Sequence, residues 1–293
     1  MTLKTTKRIV MIVIALLIAA LFAGCGGGGT SQEQAPAPEP APAPATESAP
    51  TTDTAAAPAL QGEILIAVAA SLQNAFEGDL IPLFNKEYPD VKITGTYDSS
   101  GKLQTQIEEG FDASLFFSAA TKQMDALVGE GLIDSTTVVN LLENEVVLIT
   151  GTDTKTSVTG FENISGAASV AIGDPASVPA GQYAQEVLTS LGSWDGISSR
   201  ASLGSNVTEV LNWVAEGSAE VGVVYMTDAA SMPDKVRVIA SAPAGSLKAP
   251  VVYPVGLKAN LGDNADIATA FLDFLKSPEA ADIFTSYGFK VIV

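Results

Sequence analysis

From Glu63 onward, short apolar runs alternate with stretches whose hydrophobic positions recur at helical spacing. The runs that predict strands are the ILIAVAA after Glu63, VKITGTY (91–97), SLFFSA (114–119), the VVLITG after Glu145, SVAIG (169–173), EVGVVY (220–225), KVRVIAS (235–241) and VVYPVGL (251–257). Pro254 in the last of these predicts an edge or crossing position, because proline cannot donate to a ladder. A helix is predicted from Ser71 to about Tyr88, with a kink or break near Gly78 because Pro82 interrupts it. Ser99-Ser100 read as caps for a helix over Leu103 to Glu109 that Gly110 stops. Further helices are expected over about 121–129 and about 264–286. Strands alternating with helices predict an α/β body with mainly parallel sheets and ligands at the carboxyl ends of the strands.

The first 61 residues have a different pattern. Lys4, Lys7 and Arg8 precede an uninterrupted apolar run of 14 residues, Ile9 to Phe22. A membrane-spanning helix needs roughly 20. The run fits a signal-peptide core over residues 1–24, followed at once by the only cysteine, Cys25. This front resembles a bacterial lipoprotein signal, which implies a lipid on Cys25, although Phe22 stands where that pattern prefers leucine. A plain secreted protein cut nearby, or an uncleaved anchor, is the alternative. From Cys25 to Gln61 the chain is rich in Gly, Ala and Pro, with no aromatic residue and no base. Such a segment cannot bury enough apolar area to order itself and reads as a tether. The folded body is then 62–293.

Composition removes whole function classes. The 293 residues contain no histidine, so there is no Ser-His-Asp couple, no imidazole base and no His-ligated zinc. One cysteine forms neither an internal disulfide nor a thiolate cluster. A net charge of −18 argues against nucleic acid as a partner. Ser71 and Ser100 lack a partner base, no GxSxG elbow is present, and a Ser-Lys pair through Lys102 is only formally available, so the reading is not an enzyme.

What remains sits at four strand-to-helix junctions. Ala69-Ala70-Ser71-Leu72 and Asp98-Ser99-Ser100-Gly101 follow the first two strands. Gly173-Asp174-Pro175 leads to Val178-Pro179-Ala180-Gly181, where Pro179 suits a first helical position. Ser205-Asn206-Val207-Thr208-Glu209 has capping-box spacing. Helix N-termini offer unpaired N–H groups at the positive end of a dipole, and none of the four carries a marked Lys or Arg. If they converge, they surround a small anion with neutral donors; taken singly, each is an ordinary cap.

These segments also match a known family. IAVAASLQNAF (66–76), TYDSSGKLQTQIEEG (96–110), SLFFSAATKQMDAL (114–127), GDPASVPAGQYAQEVLTSLGSWD (173–195), VGVVYMTDA (221–229) and SPEAADIFTSYGF (277–289) resemble, in order and spacing, the molybdate-binding proteins that serve ABC importers. The resemblance implies a two-lobed periplasmic-binding-protein fold of type II. Lobe one would hold about 62–143 and 256–293, lobe two about 144–255, with the ligand in the cleft between them. It implies capture of molybdate, and of tungstate too, by the Ser71 and Ser100 hydroxyls and N–H groups, the Ala180 and Val207 N–H groups and the Tyr225 hydroxyl. Molybdenum is then held as its oxyanion, with no cation site and no cofactor. The implied partner is a membrane permease, the location extracytoplasmic, lipid-anchored to the outer face of the cytoplasmic membrane (the periplasmic side if the host has two membranes), and the state monomeric. Sulfate or phosphate is the alternative ligand.

Asp98 and Gly101 depart from the small or hydroxyl residues that many relatives carry there. Asp98 is expected to face solvent or cap the helix, Lys102 to be solvated, Asp174 to shape its turn, and Trp194 and Trp213 to pack.

Overall fold

The structure, a computed structural model, describes residues 60–293. The expected leader (1–24), the lipidation site Cys25 and all but the end of the expected tether lie outside the described residues. Among the described residues no helix is long and apolar enough to cross a membrane.

Eleven strands are described: β1 (Gly62–Ala69), β2 (Val91–Asp98), β3 (Leu115–Phe117), β4 (Val139–Asn144), β5 (Val146–Gly151), β6 (Val170–Gly173), β7 (Ser202–Gly204), β8 (Val221–Tyr225), β9 (Val236–Ser241), β10 (Val251–Leu257) and β11 (Lys290–Val291). They form two sheets, ordered β11-β4-β10-β3-β1-β2 and β7-β6-β8-β5-β9. Each sheet with its helices is one lobe. The chain crosses between them through Glu145, from β4 to β5, and again through residues 242–250, from β9 to β10.

Expected as mainly parallel, both sheets are mixed. β1 runs parallel to β2 and β3, and β6 parallel to β7 and β8, because helices return the chain between them. The strands flanking the crossings pair antiparallel, β4 with β10 and β5 with β9, because the chain leaves the first sheet along β4 and returns to it along β10, and enters the second along β5 and leaves it along β9; β10 also runs antiparallel to β3, and β5 to β8. The second crossing ends before Val251 rather than at 255, since β10 lies whole in the first sheet. Nor is β10 an edge. Pro254 occupies an interior strand at a register shift between Tyr253 and Pro254, where the missing N–H is absorbed, while its carbonyl accepts from the Ser118 N–H at 2.9 Å.

Two helix expectations change in the same way. Instead of breaking near Gly78, the chain stays helical from Ala70 to Glu87, with a widened π turn over Phe76–Leu80 placed just before Pro82. The last helix is two, Ala265–Leu275 and Pro278–Ser286. Ser277 starts the second by accepting from the Ala280 N–H at 3.2 Å, with Pro278 in the first turn.

Packing fixes where the pocket-bearing termini stand. Phe76 meets Phe117 edge-on at 5.9 Å and Phe271 at 6.2 Å, tying the Ala70–Glu87 helical stretch to the first sheet. In the second lobe Gly173 and Gly181 face each other so closely that a Cβ on Gly181 would collide with the Gly173 carbonyl. The helix Pro179–Ser190 therefore sits directly on β6, which is the physical content of the GDP…VPAG spacing. Trp194 and Trp213 pack against the core as expected.

Candidate functional site

The five residues singled out by sequence, Ser71, Ser100, Ala180, Val207 and Tyr225, all line one small cavity between the lobes. The space they leave is small, a cavity of about 10 Å³. Ser71 and Ser100 stand in the first helical turns after β1 and β2, Ala180 and Val207 in the first turns of the helices after β6 and β7, and Tyr225 at the end of β8.

Each terminus offers backbone donors. Leu103 N–H bonds to Ser99 O, and Gln182 N–H to Val178 O, so the N–H groups of Ser100 and Ala180 precede the first intrahelical bond. Val207 is the first residue of the helix Val207–Ala215, capped by Asn206, whose side chain accepts from the Glu209 N–H at 3.0 Å. Glu209 does not close the predicted capping box: its side chain accepts from the Ser205 N–H at 2.6 Å, one residue before the cap.

The serines are not the caps that sequence suggested. Ser71 lies inside the 3₁₀ turn Ala70–Leu72 and its Oγ pairs with the Tyr253 hydroxyl at 3.0 Å. Ser100 is fully buried, and its Oγ accepts from the Ala119 N–H at 2.9 Å, which leaves its own proton free. Ser99 stands at the cap position, yet its hydroxyl caps nothing.

The cavity contains two orphaned hydroxyls. Ser99 Oγ and Tyr225 Oη are buried, at 4% and 1% residue exposure, and neither has a hydrogen-bond partner. A buried unsatisfied hydroxyl costs about 1–3 kcal/mol, so two lining one cavity mark a place built for a polar solute. Burial, with the nearby Tyr253, Tyr183 and Asp228 adding to it, raises the Tyr225 phenol well above its ordinary range, so it remains a neutral donor. Ser99 is the residue that sequence reasoning missed. Its signal was there, since the second hydroxyl of a Ser-Ser pair at a helix start is more than one cap requires.

Asp98 is the only charged residue on the lining. It neither faces free solvent nor caps. Its Oδ1 accepts from the Ser99 N–H at 2.7 Å and from Asn206 Nδ2 of the opposite lobe at 3.2 Å, with Lys102 Nζ at 3.5 Å. These donors turn the carboxylate into a clasp between lobes and away from being a bare charge at the cavity. Two further contacts close the same cleft: Gly101 N–H to Ser177 O at 2.9 Å, and Gln123 Nε2 to Gln182 Oε1 at 3.3 Å. Asp174 shapes its turn as expected, accepting from the Ala176 N–H at 3.0 Å. Among the described residues no group of three or more His, Cys, Asp or Glu side chains could hold a metal ion.

The chain is similar to known proteins along its whole folded body. Residues 64–290 match the family of bacterial extracellular solute-binding proteins. YvgL of Bacillus subtilis (strain 168), named as a candidate ABC transporter substrate-binding lipoprotein, is 38% identical over 77% of this chain and 85% of its own length. The molybdate-binding protein ModA of Escherichia coli (strain K12) is 38% identical over 79% of this chain and 90% of its own. Among solved structures, the substrate-binding domain of a candidate molybdenum ABC transporter from Clostridium difficile superposes with a TM-score of 0.60 at 37% identity, covering 79% of this chain and 99% of that one. By sequence pattern, overall similarity and fold, the chain belongs to the bacterial extracellular solute-binding proteins, which are binding components and not enzymes.

Proposed function

We propose that this protein captures molybdate, and tungstate with it, in the cleft between its lobes and delivers the anion to an ABC permease. The observation that carries this reading is the cavity itself: a small, buried space lined by hydroxyls and helix N-termini, two of whose hydroxyls have no protein partner. Ser71, Ser100 and Tyr225 supply side-chain donors, and Ala180 and Val207 supply backbone N–H groups. The relatives named for molybdate support the ligand, and a lining whose free groups are neutral donors, with no arginine and with the Asp98 carboxylate engaged by Ser99 and Asn206, supports an oxyanion over a carboxylate that an arginine fork would clamp. Lipid attachment at Cys25, a monomeric state and a location on the outer face of the cytoplasmic membrane complete the proposal. The relative named as a lipoprotein supports the anchor.

Thermal unfolding of the purified protein with molybdate, tungstate, sulfate or phosphate tests the ligand class. At about 100 times the dissociation constant a ligand should stabilise by about 2.7 kcal/mol, roughly 5–10 °C at this size. A shift with sulfate or phosphate but not molybdate overturns the molybdate reading. For the site, Ser71→Ala and Ser100→Ala should each weaken molybdate binding by about 1–3 kcal/mol, or about 5- to 150-fold, measured by calorimetric titration. Wild-type affinity in both variants would remove these serines from the site.

A further inference from the structure

The hydroxyl of Ser71 serves an anion only if its proton points into the cavity, and three residues behind it decide where that proton goes. Asn144 stands on the first crossing between the lobes. Its Oδ1 accepts from the Glu145 N–H at 2.8 Å, which settles which end of the amide is which. The other end can only donate, and Nδ2 reaches Thr227 Oγ1 at 2.9 Å and the Tyr253 hydroxyl at 3.2 Å. Tyr253 is fully buried on β10, at the end of the second crossing. One of its two hydrogen-bond partners is therefore a pure donor. Among its hydrogen-bonded partners the phenol proton has one acceptor, Ser71 Oγ at 3.0 Å; the Tyr225 hydroxyl, the other oxygen near it, stands outside hydrogen-bond geometry. With a lone pair of Ser71 occupied from behind, the serine's own proton is turned toward the cavity it lines. Ser100 is prepared in the same sense by the Ala119 N–H.

We infer that Tyr253, oriented by Asn144, is a positioning residue that holds Ser71 as a hydrogen-bond donor to the bound oxyanion. Tyr253 does not line the cavity and acts only through Ser71. The inference rests on the functional reading above and adds to it a polarity: the hydrogen-bond chain runs from the crossing segments into the ligand, so the serine meets the anion without first having to reorient.

A double-mutant cycle on the full protein tests this with molybdate as the probe. Tyr253→Phe keeps the ring that packs edge-on against Tyr225 at 5.7 Å and Phe289 at 5.5 Å, so the unliganded melting temperature and circular dichroism check that the fold is intact. Tyr253→Phe should weaken binding about 3- to 10-fold. Ser71→Ala should weaken it more, and the double variant should match Ser71→Ala within about twofold, because the tyrosine has nothing left to act on. Losses that multiply, or an unchanged affinity in Tyr253→Phe, overturn the inference while leaving the binding function standing. A wild-type protein that binds no molybdate overturns the functional reading first, and the relay with it.

Discussion

Gly101→Val should abolish tight molybdate binding while leaving both lobes folded. Gly101 is in the first turn of the helix Ser100–Glu108, and its N–H donates to the Ser177 carbonyl of the opposite lobe at 2.9 Å. A Cβ at this position would lie 2.7 Å from Ser177 Cα and nearer still to its carbonyl oxygen. Both obstacles are backbone, so no rotamer change relieves the clash. The cheap escape is to open the cleft. Opening withdraws Ala180, Val207 and Tyr225 from an anion held by Ser71 and Ser100. Losing three charge-assisted donors at about 1.5–3 kcal/mol each costs roughly 4.5–9 kcal/mol, about 10³- to 10⁶-fold in affinity. Unliganded stability should change little, because no core contact of either lobe is touched. Calorimetric titration against wild type measures the first effect and thermal unfolding without ligand the second. Binding within about threefold of wild type would mean that the ligand is held without this approach of the lobes.

Gly101 also shows what one sequence can and cannot disclose. Strands such as β1, β3, β6 and β8 were legible because each is a run of buried apolar residues bounded by turn residues, and the four junctions were legible because cap chemistry is local; β7 was not, having Ser202 and Leu203 exposed. β4 was not, since only Leu141 and Leu142 of Val139–Asn144 are fully buried and polar residues flank them. The cap positions pointed to the right loops for the wrong reason. Ser71 and Ser100 lie within first turns and spend their hydroxyls on Tyr253 and Ala119, contacts that bring together residues 182 and 19 positions apart. Pairings of that kind have no local signature. Asp98 is the clearer case: from sequence it was a charge to be kept away from an anion, and only the arrival of Asn206 from 108 residues downstream makes it a clasp. Gly101 read as a departure from the family's habit, whereas its role depends on Ser177 in the other lobe.

Asp228→Asn should stabilise the protein at pH 8 and flatten its stability between about pH 4 and 7. Asp228 is buried at the start of the helix Met226–Ser231, beside a second interlobe cavity that it lines together with Ser71 and Thr227. Burial is the dominant influence and pushes its carboxyl up to about 7; the Tyr225 N–H, donating to Oδ2 at 3.0 Å, opposes this only in part. Tyr225 and Tyr253, the other titratable groups whose shifts record Asp228, stay protonated and contribute no positive charge. The sign follows from proton counts. Between the unfolded value near 3.9 and the folded value, the native state holds the proton that the unfolded chain has released. Stability therefore falls as pH rises across that window, by up to about 4 kcal/mol from this one group, on the order of 10 °C at this size. An asparagine keeps an oxygen for the Tyr225 N–H and removes the ionisation. Its melting temperature should exceed wild type at pH 8 and converge with it near pH 4. Exposed carboxylates such as Glu63 and Asp134, whose hydrogen bonds hold them below their ordinary values, oppose the trend weakly and are common to both proteins, so the difference between the two curves isolates Asp228. Parallel curves would show that this carboxyl is hydrated in the folded state. A difference that opens between about pH 4 and 7 instead places a proton beside the cleft, and an anion bound there would favour the protonated form further, drawing protons from solution as it binds.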